Sequence, residues 1–138
     1  MPSFKKESSL LLPVSRSLRR RGFRRQKGEV QFYEYSIDLY GYALSSGKTT
    51  AVELKLHKWR RAFEQALIYQ LCADFSYIAL PVESTARVDI GLLAGHGLGL
   101  IGVYADKRCR VLLEAEQSAV VKKSYRDFYI RFVQGIAS

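Results

Sequence analysis

The stretch TAVELKL at residues 50–56, followed at once by HKWRRAFEQALIYQLCA, constrains this chain more than any other feature. Ala51, Val52, Leu54 and Leu56 make the first part apolar except for Glu53 and Lys55, so it reads as a central strand. From Lys58 the period changes to 3.6: Trp59, Ala62, Phe63, Ala66, Leu67 and Gln70 lie along one stripe of a helix running to about Ala73. That helix packs on the sheet. Two charges in an otherwise apolar strand must be compensated somehow.

The remaining segments follow the same logic. Residues 7–21 carry apolar residues at 10, 11, 14 and 18, a helical spacing, with Ser8 or Ser9 as cap and Pro13 in the first turn. Gly22 closes that helix. GEVQFYEYSIDLYGYAL predicts one or two strands through about residue 44, and SSGK a turn. SYIALPV reads as a short buried strand stopped by Pro81, and residues 83–97 as a short helix or loop. GLGLIGVYA and RCRVLLEAE read as two strands around the turn DKR, and SYRDFYIRFVQGI as a closing helix. This order predicts one domain over 1–138, an α/β fold with a central mixed β-sheet flanked by helices.

The composition, 48% hydrophobic and 25% charged over 138 residues, suffices for one sizeable core. No apolar run is long enough to span a bilayer, and the N-terminal apolar patch is too short and interrupted for a signal peptide, so a soluble, intracellular, cytoplasmic protein without a membrane partner is expected. Cys72 and Cys109 lack metal-ligand spacing and read as buried free thiols. Lysine and arginine number 22 against 13 acidic residues, a net charge of +9 that favours a polyanionic partner. Arg16, Arg19, Arg20, Arg21, Arg24, Arg25 and Lys27 are concentrated in one stretch, either a solvated face or a phosphate-contacting patch.

Two nucleotide motifs fail their context tests. SSGKTT resembles a phosphate-binding loop, but Gly41 lies six residues before Gly47, one too many, and a strand rather than a helix follows. GLGLIG at 97–102 matches a dinucleotide fingerprint letter for letter, yet runs on as a strand and opens no helix. No nucleotide cofactor is expected.

With SSGKTT read as a turn, the residues flanking it carry the chemistry. Period-2 geometry puts Glu53 and Lys55 on one face of their strand, and the turn can bring Asp38 beside Glu53. Two carboxylates and an ammonium suit Mg²⁺, which takes one or two carboxylates and keeps several waters. The bland alternative is a cross-strand salt bridge.

IDL at 37–39, VELK at 52–55 and a helix with Gln65 four residues before Tyr69 together resemble the PD-(D/E)xK nuclease superfamily. The likeness is greatest to its small QxxxY members related to RecB-type nuclease domains, and it extends over about residues 10–105. Ile37 stands where the proline of the motif would be. The resemblance implies a restriction-endonuclease-like αβββαβ core. It implies that Asp38, Glu53 and the backbone carbonyl of Leu54 bind Mg²⁺ or Mn²⁺, that Lys55 positions the attacking water, and that Gln65 and Tyr69 line the site or contact the DNA backbone. Several members have a further N-terminal acidic ligand; Glu29 is the first candidate here, ahead of Glu7 and Glu34.

Helical geometry puts Lys58, Arg61, Gln65 and Tyr69 on one flank, beside the apolar stripe, where they could face phosphate. With Arg20, Arg21, Arg24 and Arg25, Lys58 and Arg61 are the expected nucleic-acid contacts. His57 and His96 take no assigned role. The expected function is a Mg²⁺-dependent DNA endonuclease of repair, recombination or restriction, with a homodimer as the candidate assembly; the alternative is a catalytically inactive nucleic-acid-binding protein on the same fold.

Overall fold

The computed structural model describes residues 4–135. A 3-10 turn over Glu7–Leu10 runs directly into helix α1, Leu11–Arg20. Ser8 and Ser9 therefore do not cap it: the N-cap position falls on Leu10, whose backbone is already helical, and no side chain accepts from the first turn. Pro13 sits in the first turn, where its missing N–H costs nothing.

Strands β1, Arg25–Phe32, and β2, Tyr35–Ala43, form a hairpin; β3, Lys48–Leu54, pairs antiparallel with β2. Helix α2, Trp59–Tyr69, crosses over to β4, Phe75–Pro81, which lies parallel to β3. A 3-10 turn over Val82–Arg87 and the short helix α3, Ile90–Gly95, lead to β5, Gly99–Val103, parallel to β4. The antiparallel edge strand β6, Cys109–Leu113, and helix α4, Lys123–Val133, complete the described chain. The result is a six-stranded mixed sheet in sequential order, flanked by helices, with β3 and β4 at its centre. Its first elements follow the order α1-β1-β2-β3-α2-β4, as the αβββαβ expectation requires.

Alternation along the strands builds a core on each face. On one, Leu10, Val14 and Leu18 of the first helical segment cover Leu39, Val52, Leu54 and Ala79. Each such buried side chain stabilises the fold by roughly 1.5–3 kcal/mol. On the other, Trp59, Ala62 and Ala66 of α2 pack on Ile78 and Leu80, while Tyr129 and Val133 of α4 join Tyr40, Ala51 and Tyr69. Helix α2 ends at Tyr69, earlier than its apolar pattern suggests, because residues 70–73 turn back to start β4.

The SSGK turn is closed by Gly47, whose φ is +71° and whose N–H donates to the Ala43 carbonyl at 2.8 Å. Buried Asp74 ties the turn down, accepting from Thr49 N–H and hydroxyl, from Gln117 and from the Arg126 guanidinium, which also donates to the Gly47 carbonyl. All these groups satisfy one another, so the loop has a structural role. The glycines of GLGLIG serve packing: a Cβ on Gly99 would lie 2.3 Å from the Tyr77 ring. Cys72 is buried and Cys109 half-buried, both free thiols. Among the described residues no helix is long and apolar enough to cross a membrane.

Candidate active site

Two strand ladders open at Asp38. The β1–β2 pairing passes from Gly28↔Leu39 to Val30↔Ile37, omitting Glu29 and Asp38, and Glu29 has a left-handed φ of 51°. The β2–β3 pairing stops at Leu39↔Val52. Beyond that point the Leu54 N–H donates to Asp38 Oδ2 at 2.7 Å, where a regular ladder would use a backbone carbonyl. Asp38 is thereby fixed across from Glu53, the pair that the antiparallel register would place opposite each other.

Glu53 is 3% exposed, the most deeply buried of the acidic residues in this cluster. The Tyr69 hydroxyl donates to its Oε1 at 2.7 Å, with the Ser36 carbonyl a longer alternative acceptor at 3.2 Å. Lys55 Nζ lies 3.9 Å from Glu53 Oε2 and 4.0 Å from Glu7 Oε1. Burial, then the neighbouring Asp38 charge, pushes the Glu53 carboxyl up to about 8, against the opposing effects of Tyr69 and Lys55. Burial also raises Asp38, opposed by the Leu54 N–H and Lys55. The two carboxyls are near enough for one, protonated, to hydrogen-bond to the other. A pair so arranged favours either a shared proton or a bound cation.

Tyr69 departs from the exposed flank expected for it. Its ring is fully buried in the core beneath β2 and β3, and its hydroxyl reaches the cluster from below. Burial and Glu53 hold its phenol well above the ordinary tyrosine range, so it remains a donor. Gln65 lies one turn earlier and lines an adjoining groove of about 670 Å³ with Tyr35, Ser36, Arg61 and Ile68. Lys58 is exposed just before α2.

The N-terminal acid brought to the cluster is Glu7. Its Oε2 accepts from Leu56 N–H at 3.4 Å, and its charge acts on Asp38. Glu29 is solvent-exposed on edge strand β1, its side chain without a hydrogen bond or ion pair among the described residues, while Glu34 lies at the groove mouth. The signal for Glu7 was present in the stripe Leu10, Val14, Leu18: docking it on β3 and β4 carries the preceding turn to the end of β3. Among the described residues no three His, Cys, Asp or Glu side chains form a metal cage. Asp38 and Glu53 supply two carboxylates, a number that fits Mg²⁺ with its retained waters, and the Leu54 carbonyl belongs to the residue between Glu53 and Lys55 at the same strand end.

The arginine cluster lies elsewhere. Arg25 stands opposite Tyr42, four residues of extended strand from Asp38, a separation of about 13 Å. Arg24 and Arg25 are exposed at that far end beside Tyr42 and Leu44; Arg20 is exposed near Cys109 of β6, and Arg21 is paired with Glu114 at 2.5 Å. Of the expected nucleic-acid contacts, only Lys58 and Arg61 flank the carboxylates in the chain's fold. Lys5 and Lys6, exposed next to Glu7, are basic neighbours that the sequence reading missed. His57 is exposed, and His96 contacts the Leu92 carbonyl and the edge of Phe63; neither joins the cluster.

Neither a family model nor a curated protein sequence matches the chain. Its structure is similar to that of a protein of unknown function from Silicibacter pomeroyi, with a TM-score of 0.73 and 19% identity over 95% of this chain and 86% of that one. At such identity the likeness establishes the fold alone.

Proposed function

We propose that the protein is a Mg²⁺- or Mn²⁺-dependent DNA endonuclease that hydrolyses phosphodiester bonds. The observation that carries this reading is the convergence of Asp38, Glu53 and Lys55 where the β2–β3 ladder opens. Two carboxylates held together against their own repulsion favour a cation, and a salt bridge alone would not need the second acid.

Asp38 and Glu53 would hold the metal with the Leu54 carbonyl; the ion, when bound, polarises a phosphoryl oxygen and lowers the pKa of its water. Lys55 orients the attacking water and offsets charge developing on the phosphate. Tyr69 fixes the Glu53 carboxylate, and the Leu54 N–H fixes Asp38, so neither acid must reorganise during the reaction. Lys58 and Arg61 contact the nucleic-acid backbone. DNA repair, recombination or restriction is the setting such an activity suits.

A substrate panel tests this reading. Supercoiled, single-stranded and branched DNA are incubated with Mg²⁺ or with chelator, using the native protein and the Asp38→Ala and Glu53→Ala variants. Cleavage that needs both metal and carboxylates supports the proposal. No cleavage of any substrate, or cleavage surviving both substitutions, overturns it.

A further inference from the structure

The groove beside the carboxylates contains a polar group that the fold leaves unused. Among the described residues the Gln65 side chain has no hydrogen-bond partner, and its Oε1 is buried. A buried acceptor in that state is costly, and rotation of the half-buried amide toward the groove, where an entering donor meets it, relieves the cost. Around it stand the half-buried ring of Tyr35, the exposed guanidinium of Arg61, and the carboxylates of Glu34 and Glu64. The back wall is shared with the cluster itself, because Ser36 lines the groove and its carbonyl meets the Tyr69 hydroxyl that bonds Glu53.

This lining does not suit a run of phosphates, since two acids oppose one arginine. It suits the edge of a nucleobase. An amide offers both a donor and an acceptor, carboxylates accept from exocyclic amino groups, and an aromatic face stacks on any base. A volume of about 670 Å³ admits a whole nucleotide. A base inside a duplex could not reach Gln65, because its edge is paired and its faces are stacked.

We propose that this groove takes one unstacked nucleobase of a single-stranded or locally melted strand, next to the phosphate held at Asp38 and Glu53. Gln65 meets the base edge, Tyr35 its face, and Arg61 the adjoining phosphate. The inference rests on the nuclease reading and narrows its substrate class to single-stranded or distorted DNA.

The test uses a single-stranded 15-mer carrying 2-aminopurine and its duplex, in buffer with Ca²⁺ to keep the strand intact. The native protein is compared with Gln65→Leu, Tyr35→Ala and the Asp38→Asn variant. The expected result is a fluorescence change on binding the single strand, with the duplex bound about tenfold more weakly and each groove variant losing about tenfold in affinity, the scale of one base-stacking contact. Asp38→Asn keeps the fluorescence response while losing cleavage. Gln65→Leu removes the amide and one heavy atom, so a loss of binding in a variant with a native thermal transition reports the groove and not misfolding. Equal affinity for duplex and single strand, or groove variants that bind like the native protein, overturns the base pocket and leaves the nuclease reading standing. Absence of binding to either form overturns both.

Discussion

The Tyr69 hydroxyl donates to Glu53 Oε1 at 2.7 Å from inside the core, so a buried carboxylate at the end of β3 is held by a donor from the last turn of α2. This contact links packing to chemistry. The same helix that covers β3 and β4 aims the acid, and neither can shift without the other. Tyr69→Phe should lower stability by about 1–3 kcal/mol, the cost of leaving a buried acceptor without its donor. It should also raise the proton affinity of Glu53, because Tyr69 favours its ionised form. Urea denaturation and a Mg²⁺ titration of the variant at pH 7 check both effects: the midpoint falls and the metal binds more weakly.

The Glu53 carboxyl is raised from 4.5 to about 8 in the metal-free fold, and Asp38 is raised in the same direction. Between those values the folded protein retains a proton that the unfolded chain has released. Stability from this source is therefore full below about pH 4.5 and is lost as pH rises through about 8. Denaturation in chelator at pH 5 and at pH 8.5 should give a falling stability for the native protein and a flatter profile for Glu53→Gln. The variant should be the more stable of the two at pH 8.5, since it no longer buries a charge.

Much of this was legible in the sequence. The alternation of TAVELKL and the 3.6 period that follows it identified β3 and α2, and with them the face that Glu53 and Lys55 share. Residues whose positions depend on long-range docking were less legible. Tyr69 reads as part of a polar flank with Lys58, Arg61 and Gln65, yet it also continues the buried face Trp59, Ala62 and Ala66 at helical spacing, and its ring enters the core; Glu7 is placed by α1, and Glu29 is exposed on the edge strand. The fold also separates the basic residues of one stretch. Arg24 and Arg25 lie toward the end of the sheet remote from the carboxylates, whereas Arg19 lies beside Gly28 and Leu39 and Arg20 near Cys109 of the edge strand β6.

That separation makes its own prediction. Lys58→Ala with Arg61→Ala should weaken binding to DNA and reduce the steepness of its salt dependence by roughly two counter-ions. Arg24→Ala with Arg25→Ala should change cleavage at the carboxylates much less. Filter binding and cleavage across a series of salt concentrations distinguish the pairs, and equal effects would mean that the far cluster shares the catalytic footprint.

Asp74 organises the opposite end of β3, accepting from Thr49, Gln117 and Arg126. Asp74→Ala leaves a part-buried guanidinium without its partner and should cost about 2–4 kcal/mol, discounted for the partial exposure of Arg126. Because the network is far from Asp38 and Glu53, Mg²⁺ affinity should be unchanged in the folded variant. Thermal denaturation with and without Mg²⁺ measures both quantities on one sample.

The proposed function depends on Asp38 and Glu53 acting as one carboxylate pair for a divalent cation. Isothermal titration of Mg²⁺ into the native protein at pH 8, in two buffers of different ionisation enthalpy, tests this without any choice of substrate. Saturable binding with proton release, abolished in both Asp38→Asn and Glu53→Gln, is the expected result. Absence of binding at millimolar Mg²⁺, or binding that persists in both variants, would contradict it.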